Sequence, residues 1–174
     1  MIGLRRHTVR VVDHRPEWVT LAAAEVARLR DVLGELALDV QHVGSTAVPG
    51  LPAKPILDLA VAVRTPDDIP AVVARLVTAG YLDRGDQGRE GGHLCVREAV
   101  PDLRTVHLHI VEQTDSQWRA YLAFRDRLRT DAGLRQQYAT LKADLAARYP
   151  GDRAAYTAGK HDFIRRVLAA RSTP

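Results

Sequence analysis

Cysteine is nearly absent. Cys95 is the only one in 174 residues, so no intramolecular disulfide can form, which fits a reducing compartment. Aromatic residues amount to 5%, and no basic stripe is interleaved with them, so the usual footprint of a nucleic-acid binder is missing. No apolar run is long enough to cross a bilayer, and residues 1–6 lack the apolar core of a secretory leader. These absences predict a cytoplasmic protein whose partner is neither a membrane nor a nucleic acid. Lysine is scarce as well. Lys54, Lys142 and Lys160 are the only lysines among 25 basic residues, and arginine supplies the rest. Repeats, low-complexity tracts and linkers are also missing, which predicts one domain over residues 1–174. Nothing in the sequence fixes an oligomeric state.

What is present is ordinary globular material: 46% hydrophobic and 26% charged residues, enough to bury a core. The net charge of +4 favours anionic partners such as nucleotides or phosphorylated metabolites. An arginine-rich composition without functional meaning would give the same excess.

The pattern along the chain predicts an α/β (α+β) fold. Residues 9–12 read as a short first strand. Pro16 opens a helix carrying Trp18, Leu21, Ala22, Val26, Leu29, Val32 and Leu33 at helical spacing, running to about Ala37 despite Gly34. Residues 38–43 read as a strand, with one helical turn over 45–48. Residues 56–63, apolar except for Asp58, read as a buried strand, and residues 67–79 as a helix ended by Gly80. The polar, glycine-rich stretch 83–92 reads as a loop able to move over a site. Residues 93–97 and 104–111 read as an antiparallel pair connected through Val100-Pro101-Asp102. Three helices follow. Trp118 and Leu128 mark the first, Tyr138 and Leu145 the second, Tyr156 and Phe163 the third, with Asp152 as N-cap of the last.

Two features carry chemistry. The first is a strand that runs into Gly44-Ser45 and is followed by a strand bearing Asp58. A Gly-Ser turn lets backbone N–H groups approach a phosphate, with a hydroxyl to assist. A charged aspartate in an apolar strand is costly unless paired, so Asp58 requires a metal, a cation or a strong donor. Lys54, at the mouth of that strand, can be the cation or can bind phosphate. A purely structural role, with Asp58 capping backbone or pairing with an arginine, accounts for the same residue. The second feature is His107-Leu108-His109, which puts both imidazoles on one strand face. There they can ligate a metal, move a proton, stack on a base, or simply be satisfied on a polar face. His42 and His93 lie near other strand ends. Cys95 reads as a small buried apolar residue. No Walker loop, nucleophile elbow, dinucleotide fingerprint or zinc-type cysteine set is present.

The stretches His42-Val43-Gly44-Ser45-Thr46-Ala47-Val48-Pro49-Gly50-Leu51 and Ala53-Lys54-Pro55-Ile56-Leu57-Asp58 closely resemble the signature of the GrpB family, within the nucleotidyltransferase superfamily. The resemblance continues through Gly80-Tyr81, His107-Leu108-His109, Phe124 to Arg129, Tyr138-Ala139, Leu141-Lys142, Gly151-Asp152-Arg153, Tyr156 and Gly159-Lys160. It implies a nucleotidyltransferase-like small mixed sheet flanked by helices, with a helical C-terminal third. It also implies a cleft for a nucleotide or phosphorylated small molecule, bound by His42, Gly44, Ser45, Thr46, Lys54, Arg125 and Lys160. Asp58, His107 and His109 become the candidate catalytic and metal-binding residues.

In the wider superfamily, two acids at alternate strand positions hold divalent metal. Asp58 matches the first; Ala60 stands where the second belongs, and Glu112 points to the opposite face by parity. The expectation is at most one ion, held by Asp58 and an imidazole, with manganese or zinc favoured over magnesium. Three functions stay open: an enzyme acting on a nucleotide or phosphorylated small molecule, a catalytically silent module binding such a ligand, and an enzyme of unrelated reaction type that reuses the pocket.

Overall fold

The computed structural model describes residues 2–88 and 91–170; Arg89 and Glu90, within the expected loop, lie outside the described residues, as do Met1 and residues 171–174. In chain order the elements are β1 (Leu4–Arg5), α1 (Glu17–Leu33), β2 (Asp39–Val43), β3 (Leu57–Val63), α2 (Ile69–Thr78), β4 (Leu82–Asp86), β5 (His93–Val100), β6 (Leu103–Glu112), α3 (Ser116–Thr130), α4 (Ala132–Arg148), α5 (Arg153–Ala158) and α6 (His161–Ala169). The sheet runs β2-β3-β6-β5-β4, and β1 pairs with the start of β6. Among the described residues β3 and β6 pair in parallel and the other strand pairs are antiparallel.

Alternation decides what each face of the sheet meets. Leu57, Leu59, Val61 and Val63 of β3 join Val106, Leu108 and Ile110 of β6 on one side. There they pack with Trp18, Leu29 and Leu33 of α1 and with Val72 and Leu76 of α2 in the main core. Ala60 and Ala62 face the other way and meet Val111 and Trp118. Asp58 is opposite His107 in the β3–β6 register, so the polar residues of both strands share that second face. The helical third covers it: Val48 and Leu51 pack with Leu128, Tyr138, Phe163 and Val167.

Four expectations need correction. Residues 9–12 form no strand. Only Val12 makes an isolated bridge, to Ala53, and the true first strand is β1. The first helix ends at Leu33, because Gly34 turns the backbone to φ +54° before one 3-10 turn, Gly34–Leu36. Residues 83–86 of the expected loop belong to strand β4, paired with β5 and exposed along most of its length. The third C-terminal helix is two, since α5 stops at Ala158 and α6 begins at His161. Two end signals hold. Gly80 closes α2 with paired bonds from its own N–H to Val77 and from Tyr81 N–H to Leu76. The Asp152 carboxylate accepts from Ala155 N–H at the start of α5.

Candidate functional site

Gly44 is the pivot of the local geometry. It follows β2 with φ +68° and ψ −170°, a region that is essentially glycine's alone. A Cβ here would stand 2.6 Å from Asp58 Oδ2, so the chain crosses directly over the carboxylate. One 3-10 turn, Ser45–Ala47, follows at once. The turn is braced from behind by α3. Arg129 Nε donates to the Ala47 carbonyl at 2.9 Å, and Arg125 donates to the His42 carbonyl and to Gln41 Oε1, both at 3.0 Å. His42 Nε2 and Thr46 Oγ1 are hydrogen-bonded at 2.9 Å, and burial pushes the His42 imidazole down to about 4. His42 is therefore neutral and holds Thr46.

A cleft of about 850 Å³ opens in front of this turn, a usual size for a small-molecule site. Ser45, Thr46, Lys54, Asp58, His107, His109 and Lys160 line it, so the structure brings together most of the residues singled out in the sequence. Gly44 lines an adjoining cavity of about 340 Å³ that shares Ser45, Asp58, His109 and Lys160 with the first. Tyr121, Phe124, Tyr138 and Ile164 make that second chamber largely apolar. Arg125, a candidate ligand-binding residue by the resemblance, lines neither chamber and donates to β2 instead. His42 likewise acts through Thr46 rather than facing the cleft.

His107 sits in a chain of donors. The Arg153 guanidinium, which can only donate, reaches His107 Nε2 at 3.3 Å. His107 Nδ1 therefore carries the proton and donates it to Asp58 Oδ1 at 3.2 Å. Burial pushes this imidazole down to about 4, so the neutral form is the resting one. Burial alone would raise the Asp58 carboxyl. The hydrogen bond from neutral His107, with the attraction of the Lys54 ammonium, outweighs it and holds the group well below the usual carboxylate range. His109 Nδ1 donates to the Gly91 carbonyl at 2.9 Å, and its ring lies 5.3 Å from that of Tyr121.

The most informative feature is cationic. All three lysines of the chain line the cleft, together with Arg153 and Arg104. Lys54 and Lys160 both place Nζ over the Tyr156 ring, 5.1 and 4.8 Å from its centroid. Lys142 donates to the Pro52 carbonyl and lies over the Tyr138 ring. Burial first, and then repulsion from neighbouring cations, pushes both Lys54 and Lys142 down to about 7. Lys160 is lowered chiefly by burial, with Asp58 opposing. Lys142, Arg153 and Tyr156 escaped the reading from local chemistry, because each lies on a helix far along the chain and looks like scaffold there. The available signal was lysine itself: arginine is the rule in this chain, and a lysine is used where a compact, tunable ammonium is needed.

This environment does not fit two hard divalent cations. Asp58 and Asp152 are the acids among the described residues lining the cleft, and Asp152 caps α5. Both ring nitrogens of His107 are engaged, and Asp58, His107 and His109 do not gather their ligand atoms into a three-ligand cluster. Clustered ammonium groups instead call for an anion.

The lysine values give a pH prediction. Free lysine ordinarily titrates near 10.5, so between about pH 7 and 10.5 the unfolded chain holds protons that the folded cleft has released. Stability contributed by this pair should therefore rise with pH across that window and fall as pH drops through 7. A bound anion raises both lysines, so its binding should take up protons. Thermal melts with pyrophosphate should show the largest stabilisation near pH 6–7 and a shrinking one toward pH 9. A gain that grows with pH would contradict the assignment.

The GrpB protein family model matches residues 8–170. The chain belongs to the GrpB family. The glutamate-rich protein GrpB of Alkalihalophilus pseudofirmus is 33% identical over 171 residues, covering 97% of this chain and 98% of the relative. The solved structure of GrpB from Enterococcus faecalis superposes with a TM-score of 0.80 at 33% identity, covering 91% of this chain and 94% of that one. A structure of the Cid1 poly(U) polymerase with magnesium and 3'-dATP superposes with a TM-score of 0.56 at 15% identity, over 86% of this chain and 49% of that one. At that identity the likeness is one of fold, and it makes this GrpB protein nucleotidyltransferase-like in architecture. Among the described residues no helix is long and apolar enough to cross a membrane.

Proposed function

We propose that this GrpB protein binds a nucleotide or another phosphorylated small molecule in the two-chambered cleft, without two-metal nucleotidyl transfer. The observation that carries this reading is the meeting of the chain's three lysines and Arg153 around one carboxylate. Phosphate groups belong in the cationic chamber, near Ser45, Lys54 and Lys160. A flat, less polar portion belongs in the adjoining chamber between Tyr121, Phe124 and Tyr138. Asp58 and Lys160, shared by both chambers, sit where the two portions join. His107, neutral and donating to Asp58, keeps that carboxylate aligned and ionised.

A second reading, acid–base catalysis on the same ligand, is favoured by Lys54. An amine titrating near 7 can give or take a proton at neutral pH. Calorimetry with a nucleoside triphosphate, pyrophosphate and the parent nucleoside, all in the presence of a chelator, tests the binding reading. Triphosphate and pyrophosphate should bind without metal and the nucleoside at least tenfold more weakly than the triphosphate. Equal binding of nucleoside and triphosphate would place the recognition away from the lysines.

A further inference from the structure

A second cluster of ligand-type side chains lies away from this cleft, where β4 pairs with β5. Asp83 is opposite Cys95 in the antiparallel register, and His93 lies two residues before Cys95 on the same strand, so all three side chains share a face. One ligand atom from each of Asp83, His93 and Cys95 lies within 4.8 Å of the others. His93 Nε2 already stands 2.7 Å from Asp83 Oδ1. From these positions we propose that Asp83, His93 and Cys95 form a binding site for one borderline-soft divalent transition ion of the zinc type.

The donor set selects the metal class. One sulfur, one imidazole nitrogen and one carboxylate oxygen suit zinc or cobalt and disfavour magnesium or calcium, which take all-oxygen shells. Three protein ligands leave a fourth position for water or another ligand. That position has an approach. Asp83 and His93 line a separate cavity of about 860 Å³ whose other polar lining includes Asp86, Glu112 and Asp115. An acidic cavity draws in cations, whereas the main cleft repels them. Cys95 is fully buried, whereas Asp83 and His93 are partly exposed.

Binding is chemically balanced without any redox partner. The Cys95 thiol releases its proton to solvent as the sulfur–metal bond forms, and the ion sheds bound water. His93 ligates through one nitrogen and carries its remaining proton on the other. The ion would also tie β4 to β5 where their ladder is weakest, since the register slips between Asp83 and Asp86 and Gly85 turns to φ +74°. This hairpin supplies Gln87 and Gly91 to the wall of the main cleft, and Gly91 accepts the His109 hydrogen bond. An ion at its base would steady that wall.

Cobalt(II) titration of the metal-stripped full-length protein under reducing conditions is the test, read by the sulfur-to-cobalt charge-transfer band in the near ultraviolet. The expected result is a band that saturates at one equivalent and is displaced by zinc. It should vanish in Cys95→Ala, which keeps a small apolar occupant in the core, and cobalt affinity should fall at least tenfold in His93→Gln and in Asp83→Asn. Both of the latter change partly exposed side chains, and circular dichroism of all three variants reports folding. Absence of the band in the parent protein, or unchanged affinity in folded His93→Gln and Asp83→Asn, would overturn the proposal.

Discussion

Replacing Gly44 with Ala should destabilise the protein by roughly 2–6 kcal/mol, the sum expected for a positive-φ backbone forced on a residue with a side chain and for overpacking beside it. The backbone at φ +68°, ψ −170° excludes a Cβ on its own account. The added methyl would also stand 2.6 Å from the Asp58 carboxylate and 2.7 Å from its Cβ. Asp58 cannot yield easily, because His107 and the crossing chain hold it. The two costs separate in a double-mutant cycle with Asp58→Ala. Truncating Asp58 removes the 2.6 Å contact with the carboxylate but leaves the 2.7 Å approach to Cβ and the dihedral strain, so only part of the overpacking cost is recovered and the pair should be coupled by about 1 kcal/mol. Urea denaturation of the four proteins measures it, and strictly additive effects would show that Gly44 and Asp58 do not press on each other.

Lys54→Met and Lys160→Met should each weaken pyrophosphate binding about ten- to a hundredfold, the loss of one charge-assisted hydrogen bond of roughly 1.5–3 kcal/mol. Stability of the ligand-free protein should move the other way or not at all. Each ammonium is crowded by other cations and rests on the Tyr156 ring, and a methionine keeps that contact while removing the repulsion. A scaffold role predicts the reverse pattern: lost stability with unchanged binding. Calorimetry paired with thermal melts distinguishes the two.

The site was legible in the sequence where the chemistry is local. Gly44-Ser45 and Asp58 lie on consecutive strand ends, and strand parity alone puts His107 and His109 on one face and Ala60 where a second acid would stand. The β3–β6 register then brings Asp58 and His107 together, which the alternation on each strand allows without fixing. The place of Arg125 is not legible in sequence, because an arginine in a half-buried helix can face a cleft or brace a neighbour, and only the packing of α3 on β2 sets it against β2. Lys142, Arg153 and Tyr156 reach the cleft from α4 and α5, helices whose placement depends on contacts far apart in sequence. The edge strand β4 read as a loop for a physical reason. It is exposed, charged and glycine-bearing, with no apolar alternation to mark it, and only pairing with β5 makes it a strand. Residues 9–12 err in the opposite direction: three β-branched valines favour a strand, but they pack on Leu145 and the main core with a single bridge, Val12 to Ala53.

Whether the cleft is an anion site or a metal site can be decided by the sign of one effect. In a phosphate site ringed by lysines, the Asp58 charge opposes the ligand; in a metal site it carries the ion. Asp58→Asn preserves the shape and an oxygen acceptor for His107 Nδ1 while removing the charge. Pyrophosphate should be titrated calorimetrically into both proteins with a chelator present, and again with manganese. Binding in chelator, retained or tightened in Asp58→Asn, is the predicted result. Binding that appears only with manganese and disappears in Asp58→Asn would contradict it.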